Sequence, residues 1–326
     1  MRAMILAAGL GTRLRPLTAL RAKPALPIRG RPVISLLLDF LSRHEIREVM
    51  INLHYLPHTI RAAVDADRPP SMRIIWSEES EPLGTGGGIR RASEFLSGDD
   101  ECVVLAGDML IDIDLTSLLE SHRQSGLDAT LVLRDDARKE AFGAIDIDSE
   151  GHVTRIGKRV VNSKRADSTT GRPERSGLFT GVRIFSKSVF QSWPNEEVFE
   201  DLRDWLIPGI EADRIHVGGA FVDSRDSVWE PVGTPSEYLQ MNLSPPSMPS
   251  LGGTVDSWAG DVEIAGARAD VILGSRSEIG HDAHLERTVV WAGETVPASF
   301  VAHDGVFAEG RFHDCGPDAA SLGQEH

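Results

Sequence analysis

The chain is poor in cysteine. Its 326 residues include only two, Cys102 and Cys315, and they stand far apart in the sequence. Two distant thiols provide neither a disulfide framework nor the close spacing of a zinc site. Such sparse cysteine is typical of proteins of the reducing cytoplasm, so we predict a cytoplasmic location.

Long apolar runs and excess positive charge are missing as well. No run of 18 or more apolar residues occurs, so we predict no transmembrane helix and no membrane partner. The formal net charge is −15, whereas nucleic-acid binding usually needs a basic field, and we expect no nucleic-acid partner. A phosphorylated small substrate is not excluded, because the segment from Arg13 to Arg31 carries six basic residues and no acid.

Short apolar runs alternate with amphipathic helical patterns over residues 1 to about 140. The predicted strands and helices alternate in the order Ala3–Ala8, Pro32–Arg43, Glu48–Leu53, His58–Ala66, Arg73–Ser77, Gly88–Leu96, Cys102–Ala106, Leu115–Ser125 and Ala129–Arg134. This alternation predicts an α/β fold with a mainly parallel, Rossmann-like sheet and helices on both faces. In such sheets ligands bind at the carboxyl ends of the strands.

The pattern changes beyond the Pro-, Ser- and Gly-rich stretch Ser244–Gly253. We predict a first domain over 1–243, a linker over 244–254 and a small domain over 255–310. In the small domain Leu273, Ile279, Leu285 and Trp291 recur every six residues, which favours a short left-handed β-helix-like appendage over a small antiparallel one. Residues 311–326 are polar without a pattern, and we expect them to be disordered.

A glycine-rich turn follows the first predicted strand. Gly9 and Gly11 allow backbone N–H groups to approach phosphate oxygens, Arg13 adds a planar set of donors, and Lys23 follows ten residues later. The turn is not a P-loop, and Leu14 stands where a dinucleotide-binding motif needs its third glycine. The alternative is a plain turn with solvated arginines, and the full string makes phosphate binding the better interpretation.

This string, Leu6–Thr18 followed by Lys23-Pro24, resembles the signature of the sugar-phosphate nucleotidyltransferases, and the resemblance extends to about residue 240. It implies that an NTP and a sugar 1-phosphate react by in-line attack on the α-phosphorus, releasing pyrophosphate. The catalytic residues that it implies are Arg13, Lys23 and Asp108. The nucleotide-binding residues that it implies in the first loop are Leu6, Ala8, Gly9, Gly11, Thr12 and Arg13.

A second glycine-rich stretch, Glu78–Gly88, looks like the base-binding segment of that family, although a flexible loop is the plain alternative. We assign Glu81, Gly84 and Thr85 to nucleotide binding. The resemblance favours GTP or UTP, and the Glu81 carboxylate can accept hydrogen bonds from guanine.

The resemblance also implies a Mg²⁺ ion at Asp108, which follows a buried strand, as Mg²⁺ takes one or two carboxylates plus phosphate oxygens. It implies sugar-phosphate binding by Gly143, Lys158 and Gly181. Two positions depart from the family pattern. Gly157 replaces the glutamate that contacts sugar hydroxyls, and Pro231 replaces the aspartate that supplies the second carboxylate to the metal.

Three acids near Pro231 are candidates to replace the missing carboxylate. Glu230 is adjacent, but neighbouring side chains on an extended segment point to opposite faces. Asp226 and Asp223 lie slightly upstream. If none of them serves, Asp108, phosphates and water remain as ligands.

We therefore predict a sugar-1-phosphate nucleotidyltransferase, with mannose 1-phosphate and GTP as the preferred substrates. The alternatives are uridylyl or thymidylyl transfer to another sugar 1-phosphate, and a weakly active regulatory subunit that binds nucleotide-sugar. We also expect a homo-oligomer formed through the C-terminal domain.

Overall fold

The computed structural model describes residues 1–165, 174–266 and 270–316. The strands are β1 Arg2–Leu6, β2 Pro27–Ile28, β3 Arg31–Pro32, β4 Glu48–Leu53, β5 Arg73–Glu78, β6 Glu101–Ala106, β7 Met109–Asp112, β8 Ala129–Arg134, β9 Ala144–Ile147, β10 Val153–Ile156, β11 Arg159–Val160, β12 Arg175–Ser186, β13 Val217–Val222, β14 Val228–Pro231, β15 Val262–Ala265, β16 Val271–Gly274, β17 Glu278–Ile279, β18 His284–Val290, β19 Thr295–Val296, β20 Val301–Ala308 and β21 Arg311–Asp314. The α-helices are α1 Leu17–Leu20, α2 Val33–Arg43, α3 Pro57–Ala66, α4 Gly84–Arg91, α5 Ser93–Leu96, α6 Leu115–Ser125, α7 Lys139–Phe142, α8 Ile207–Glu211, α9 Pro235–Leu243 and α10 Val255–Trp258.

The central sheet has the strand order β11-β10-β9-β12-β6-β1-β4-β5, and β8 and β13 extend it from β12. β1 pairs in parallel with β4 and β6, and β4 pairs in parallel with β5, whereas β12 runs antiparallel to β6. Ala3 and Ile5 of β1 belong to one apolar core and Met4 to the other. Because successive strand residues face opposite sides, both faces of the sheet are covered, as the continuous apolar runs predict.

The helices divide between these two cores. α2, α3, α6 and α9 supply one core, and α4, α5 and α8 supply the other. The predicted α/β fold with a mainly parallel sheet and helices on both faces is therefore confirmed. One local prediction was wrong, because α4 begins at Gly84 and not at Gly88. A π-helix over Asp201–Leu206 precedes α8.

Parallel coils form the C-terminal region. β16, β18 and β20 pair in parallel with residues 17 positions apart, as Val271 with Thr288 and Thr288 with Gly305. β17 and β19 pair with the same offset on another face. This is a β-helix-like appendage, as the six-residue repeat predicts, although its handedness stays a prediction. Ile279 differs from the prediction, since it is 39% exposed and does not fill the interior.

The appendage packs directly on the first domain. Trp291 Nε1 donates to the Tyr238 hydroxyl at 3.0 Å, and that hydroxyl donates to the Pro27 carbonyl at 2.7 Å. Met248 and Leu251 are buried, so the segment predicted as a linker is part of one continuous core.

The prediction of a disordered tail from residue 311 is wrong for Arg311–Asp314, which form β21 and pair antiparallel with β20. Residues 317–326 lie outside the described part of the chain. None of the helices in the described ranges has the length and apolar character needed to cross a membrane.

Candidate active site

A cavity of about 440 Å³ opens at the carboxyl ends of the parallel strands. Residues at or just beyond the ends of β1, β4, β5 and β6 line it, among them Leu6, Asn52, Glu79 and Ala106. This is the position that the βα alternation predicts for a ligand.

The glycine-rich loop after β1 forms one side of the cavity. Among the predicted nucleotide-binding residues, the loop members that line it are Leu6, Ala8, Gly9, Gly11, Thr12 and Arg13. Gly11 has a φ of +63°, and a Cβ there would lie 2.9 Å from Thr18 Cγ2. Thr18 also donates its hydroxyl to the Gly11 carbonyl at 2.8 Å. The turn therefore requires glycine at this position, both for its backbone angle and for its close packing.

The three predicted catalytic residues meet at this end of the cavity. Lys23 Nζ lies 2.6 Å from Asp108 Oδ2, and both residues line the cavity with Arg13. Asp108 is brought close to the loop because Gly107 N donates to the Leu6 carbonyl at 2.9 Å. Arg13 is exposed and makes no hydrogen bond within the described residues. Two cations and one carboxylate next to free loop N–H groups suit a polyphosphate. We call this region the phosphate end.

The residue at position 231, which lies beside Asp108 on the neighbouring strand, determines how many carboxylates can bind a divalent ion. Pro231 of β14 pairs with Met109, and Val232 N donates to the Asp108 carbonyl at 2.9 Å. An acid at position 231 would thus stand beside Asp108, and proline offers no ligand. No cluster of three or more His, Cys, Asp or Glu side chains suited to a metal occurs in the described residues. The donor set fits Mg²⁺ in the mode that uses one carboxylate with phosphate oxygens and water.

None of the three candidate replacements supplies the missing carboxylate. Glu230 accepts from Arg138 Nη1 at 2.9 Å and does not line the cavity. Asp223 lies beyond the other end of β14, where its hydrogen bonds with Arg225 hold the pKa of its carboxyl well below the usual range. Asp226 belongs to the same distant turn, since its N–H donates to the Asp223 carbonyl. The expectation that Asp226 or Asp223 substitutes is not supported.

The opposite end of the cavity rests on a buried polar chain. Asn52 Oδ1 accepts from Ala7 N at 2.7 Å, and Asn52 Nδ2 donates to Glu79 Oε1 at 2.7 Å. Glu79 Oε2 accepts from Leu83 N at 3.1 Å, so both carboxylate oxygens are used. The structure places Glu81 in an exposed position outside the cavity, whereas Gly84 and Thr85 line it. The acid of this run that lines the cavity is Glu79, which follows β5 directly, and the role of Glu81 in nucleotide binding stays a prediction.

The glycines of α4 face protein. A Cβ at Gly84 would lie 2.5 Å from the Phe199 carbonyl oxygen, and one at Gly86 would lie 2.3 Å from the Phe199 ring. A Cβ at Gly87 would lie 2.5 Å from the Glu197 carbonyl oxygen. The Phe199 carbonyl in turn accepts from Gly86 N and Gly87 N. These glycines let the segment 197–201 lie against α4, so their close packing explains them without the base-binding role that the resemblance implies.

The predicted sugar-binding residues do not line the cavity. Lys158 is exposed in the turn between β10 and β11, and Gly143 lies between α7 and β9. Gly181 lies at a bulge of β12 next to Ala106, and its carbonyl accepts from Arg183 Nη1 at 2.9 Å. In their place, Arg183 and Glu200 line the cavity. Arg183, which interrupts the apolar stretch from Val182 to Phe185, was a signal that sequence reasoning overlooked.

Arg183 forms a buried ion pair with Asp201 through Nε and Oδ2. The side chains of the two residues are 6% and 3% exposed. The Thr85 hydroxyl lies 2.7 Å from Asp201 Oδ1 and 2.6 Å from Glu200 Oε2, and its single proton serves one of them at a time. We call Thr85, Arg183, Glu200 and Asp201 the acceptor wall.

A family model described as Nucleotidyl transferase matches residues 2–245. The chain belongs to this family. The match ends in the segment that joins α9 to the appendage, so the cavity with its phosphate end and its acceptor wall lies wholly within the nucleotidyl transferase part.

Curated relatives in this family carry different substrate names. A mannose-1-phosphate guanylyltransferase of Mycobacterium tuberculosis is 29% identical over 308 residues, which cover 92% of this chain and 82% of that protein. A UTP--glucose-1-phosphate uridylyltransferase of Synechocystis is 30% identical over 252 residues, covering 74% of this chain and 62% of that protein.

The fold is shared with a solved structure. HddC from Yersinia pseudotuberculosis, complexed with GMP-PN, superposes with a TM-score of 0.59 at 24% identity, over 74% of this chain and 97% of that one. The two curated relatives are both nucleotidyltransferases by name, and their names differ in base and sugar.

Proposed function

We propose that this protein transfers a guanylyl group from GTP to mannose 1-phosphate, giving GDP-mannose and pyrophosphate. The observation that carries the proposal is the meeting of Arg13, Lys23 and Asp108 beside the glycine-rich loop, with Lys23 Nζ 2.6 Å from Asp108 Oδ2. A triphosphate placed there meets loop N–H groups and two cations, which offset the charge that develops as pyrophosphate leaves.

Each group has a distinct part in this proposal. Arg13 and the loop N–H groups bind the β- and γ-phosphates, and Lys23 moves its contact from Asp108 to the reacting phosphate. Asp108, together with phosphate oxygens of the substrate, would hold Mg²⁺. When bound, Mg²⁺ supplies positive charge that neutralises the phosphates and orients them for in-line attack.

The choice of GTP and mannose 1-phosphate is supported by a relative that combines 29% identity with alignment over 92% of this chain, whereas a glucose-1-phosphate thymidylyltransferase that aligns over the same share is 24% identical. The mannose-1-phosphate guanylyltransferase of Mycobacterium tuberculosis aligns over 92% of the chain, which takes in the appendage, whereas the uridylyltransferase aligns over 74%. HddC was solved with a guanine nucleotide analogue.

The direct test is pyrophosphate release with Mg²⁺, measured for GTP, UTP, dTTP and ATP against mannose, glucose, heptose and N-acetylmuramate 1-phosphates. We expect the highest kcat/KM for GTP with mannose 1-phosphate, and loss of turnover in Lys23→Ala. Lys187→Ala is the matched control, because Lys187 is an exposed lysine on the far side of β12 that pairs with Asp100. A higher kcat/KM for another pair of NTP and sugar 1-phosphate would support nucleotidyl transfer but contradict the proposed substrates.

A second candidate is a non-catalytic subunit that binds nucleotide-sugar and regulates a related enzyme. Pro231 favours it, because the position beside Asp108 carries no second carboxylate. Tight binding of GDP-mannose without pyrophosphate release from any substrate pair would establish this function in place of the first.

A further inference from the structure

One carboxylate in the cavity, that of Glu200, is neither part of the phosphate end nor fully used in structural hydrogen bonds. Three acids line the cavity within the described residues: Glu79, Asp108 and Glu200. Glu79 uses both oxygens in structural hydrogen bonds, and Asp108 belongs to the phosphate end. Glu200 is exposed, and its Oε1 has no hydrogen-bond donor in the part of the chain that the structure describes.

Glu200 is held in a fixed place. Its Oε2 lies 2.6 Å from the Thr85 hydroxyl, whose proton it shares with Asp201, and accepts from Thr85 N at 3.3 Å. Its own N–H donates to Asp204 Oδ2 at 2.8 Å. The Phe199 N–H donates to the Leu83 carbonyl just before α4, and the Phe199 carbonyl accepts from N–H groups of α4. A side chain with one anchored oxygen and one open oxygen is preorganised to accept a hydrogen bond from a ligand.

The order of the strands in the sheet indicates which substrate the open oxygen of Glu200 faces. In the sheet order β12-β6-β1-β4-β5, the glycine-rich loop follows β1 and Asp108 follows β6. Asn52 and Glu79 lie on the β4–β5 side of the glycine-rich loop, and Arg183 lies on β12, on the other side. Arg183 of the acceptor wall thus lies across β6 and β1 from Asn52 and Glu79, and Thr85 and Glu200 join the wall from the start of α4 and the segment bonded to it.

The acceptor wall offers both kinds of hydrogen-bonding partner that a sugar needs. Glu200 presents an acceptor oxygen. Arg183 uses Nε for Asp201 and Nη1 for the Gly181 carbonyl, and its Nη2 has no hydrogen-bond partner among the described residues. Hydroxyl groups both donate and accept, so a carboxylate and a guanidinium on one wall suit a polyhydroxylated ring.

We propose that Glu200 selects the acceptor, with its Oε1 accepting a hydrogen bond from a ring hydroxyl of the sugar 1-phosphate and Arg183 donating to another sugar oxygen. This inference rests on the proposed transfer to a sugar 1-phosphate and deepens it. Glu200 takes over the contact that the family pattern assigns to a glutamate at position 157, where this chain has glycine.

The test measures the KM of both substrates in Glu200→Gln, in which an amide N–H₂ replaces the open acceptor oxygen. We expect the KM for the sugar 1-phosphate to rise about 10- to 100-fold, the range for a hydrogen bond to a charged group, and the KM for the NTP to stay within about twofold. Glu196→Gln is the matched control, because Glu196 is an exposed glutamate of the same segment outside the cavity.

A series of monodeoxy sugar 1-phosphates locates the contact. Each analogue is compared with the complete sugar 1-phosphate in both proteins. The analogue that lacks the hydroxyl bound by Glu200 should bind the unaltered protein more weakly than the complete substrate does, but should bind Glu200→Gln as well as the complete substrate does. Every other analogue should lose the same factor of affinity in both proteins. Glu200→Asp keeps the charge with a shorter reach, and we expect the same KM pattern from it. Circular dichroism shows whether Glu200→Gln folds. If it does not fold, Glu200→Asp tests the role of Glu200 in its place.

Two failures are distinguishable. If the unaltered protein turns over no sugar 1-phosphate, the proposed function falls and this inference falls with it. If the unaltered protein is active and Glu200→Gln shows the same sugar KM, or raises the NTP KM by the same factor, only the role of Glu200 is wrong.

Discussion

The two sides of the cavity are built in different ways. The phosphate end comes mainly from one stretch of chain, from Leu6 to Lys23, with Asp108 added beyond a neighbouring strand. The acceptor wall joins segments that are far apart, since Thr85 and Glu200 are separated by 115 positions. A contiguous motif can be recognised in a sequence, whereas a wall assembled from distant segments becomes visible only in three dimensions.

If the acceptor wall depends on its buried ion pair, breaking that pair is the largest single perturbation we expect. Arg183→Leu leaves the Asp201 carboxylate buried and unpaired, which we expect to lower the free energy of unfolding by about 3–5 kcal/mol in urea titrations. The double variant Arg183→Met/Asp201→Leu removes both charges and should recover most of the loss.

The exposed pair Lys187–Asp100 provides the control, since Lys187→Met should change the unfolding free energy by less than about 1 kcal/mol. A loss in Arg183→Leu no larger than this control would show that the acceptor wall does not depend on the ion pair.

At the phosphate end the expected effect falls on rate and not on stability. Lys23→Met keeps the length of the side chain and removes its charge, so we expect kcat to fall about 10²- to 10³-fold, as for loss of one transition-state donor. The midpoint of thermal unfolding should stay close to that of the unaltered protein. A variant that keeps most of its kcat would remove Lys23 from the reaction.

A smaller effect is expected at Gly11, where glycine is needed both for its backbone angle and for its close packing against Thr18. Gly11→Ala forces a left-handed alanine and a contact with Thr18, and we expect it to lower stability by about 1–2 kcal/mol and to raise the KM for the NTP. Gly126→Ala is the matched control, because Gly126 has a φ of +67° but nothing within 4 Å of an added Cβ. Equal effects of both variants on KM would show that the tight packing at Gly11 does not matter for nucleotide binding.

The smallest effect concerns the acid that the phosphate end lacks. Pro231→Asp places a second carboxylate beside Asp108, and we expect the affinity of the free protein for Mn²⁺ to rise about tenfold, or about 1.4 kcal/mol. Pro231→Asn, a neutral residue of similar size, should leave that affinity near its original value. The same gain in both variants, measured by calorimetry, would mean that release of the proline and not the carboxylate causes it.

Much of the sheet was predictable because its strands are buried on both faces. Glu48–Leu53, Leu115–Ser125 and Ala129–Arg134 have the bounds that the sequence predicts. Continuous apolar runs and one clear amphipathic period leave few alternatives for such segments.

Other features depend on contacts between distant segments. α4 begins at Gly84 despite its glycines, because the segment 197–201 packs on them and binds their N–H groups. Local propensity points against a helix there, and tertiary contact overrides it. The acid Glu79 and the wall residues Arg183 and Glu200 were missed for the same reason, since no short spacing connects them.

The most direct test that the phosphate end and the acceptor wall have separate roles is a two-substrate kinetic analysis of Lys23→Met and Glu200→Gln. GTP and mannose 1-phosphate are each varied at several fixed concentrations of the other. We expect a fall in kcat with Lys23→Met and a rise in the sugar phosphate KM alone with Glu200→Gln. If both variants changed the same parameter to the same degree, the two sides of the cavity would not have separate roles.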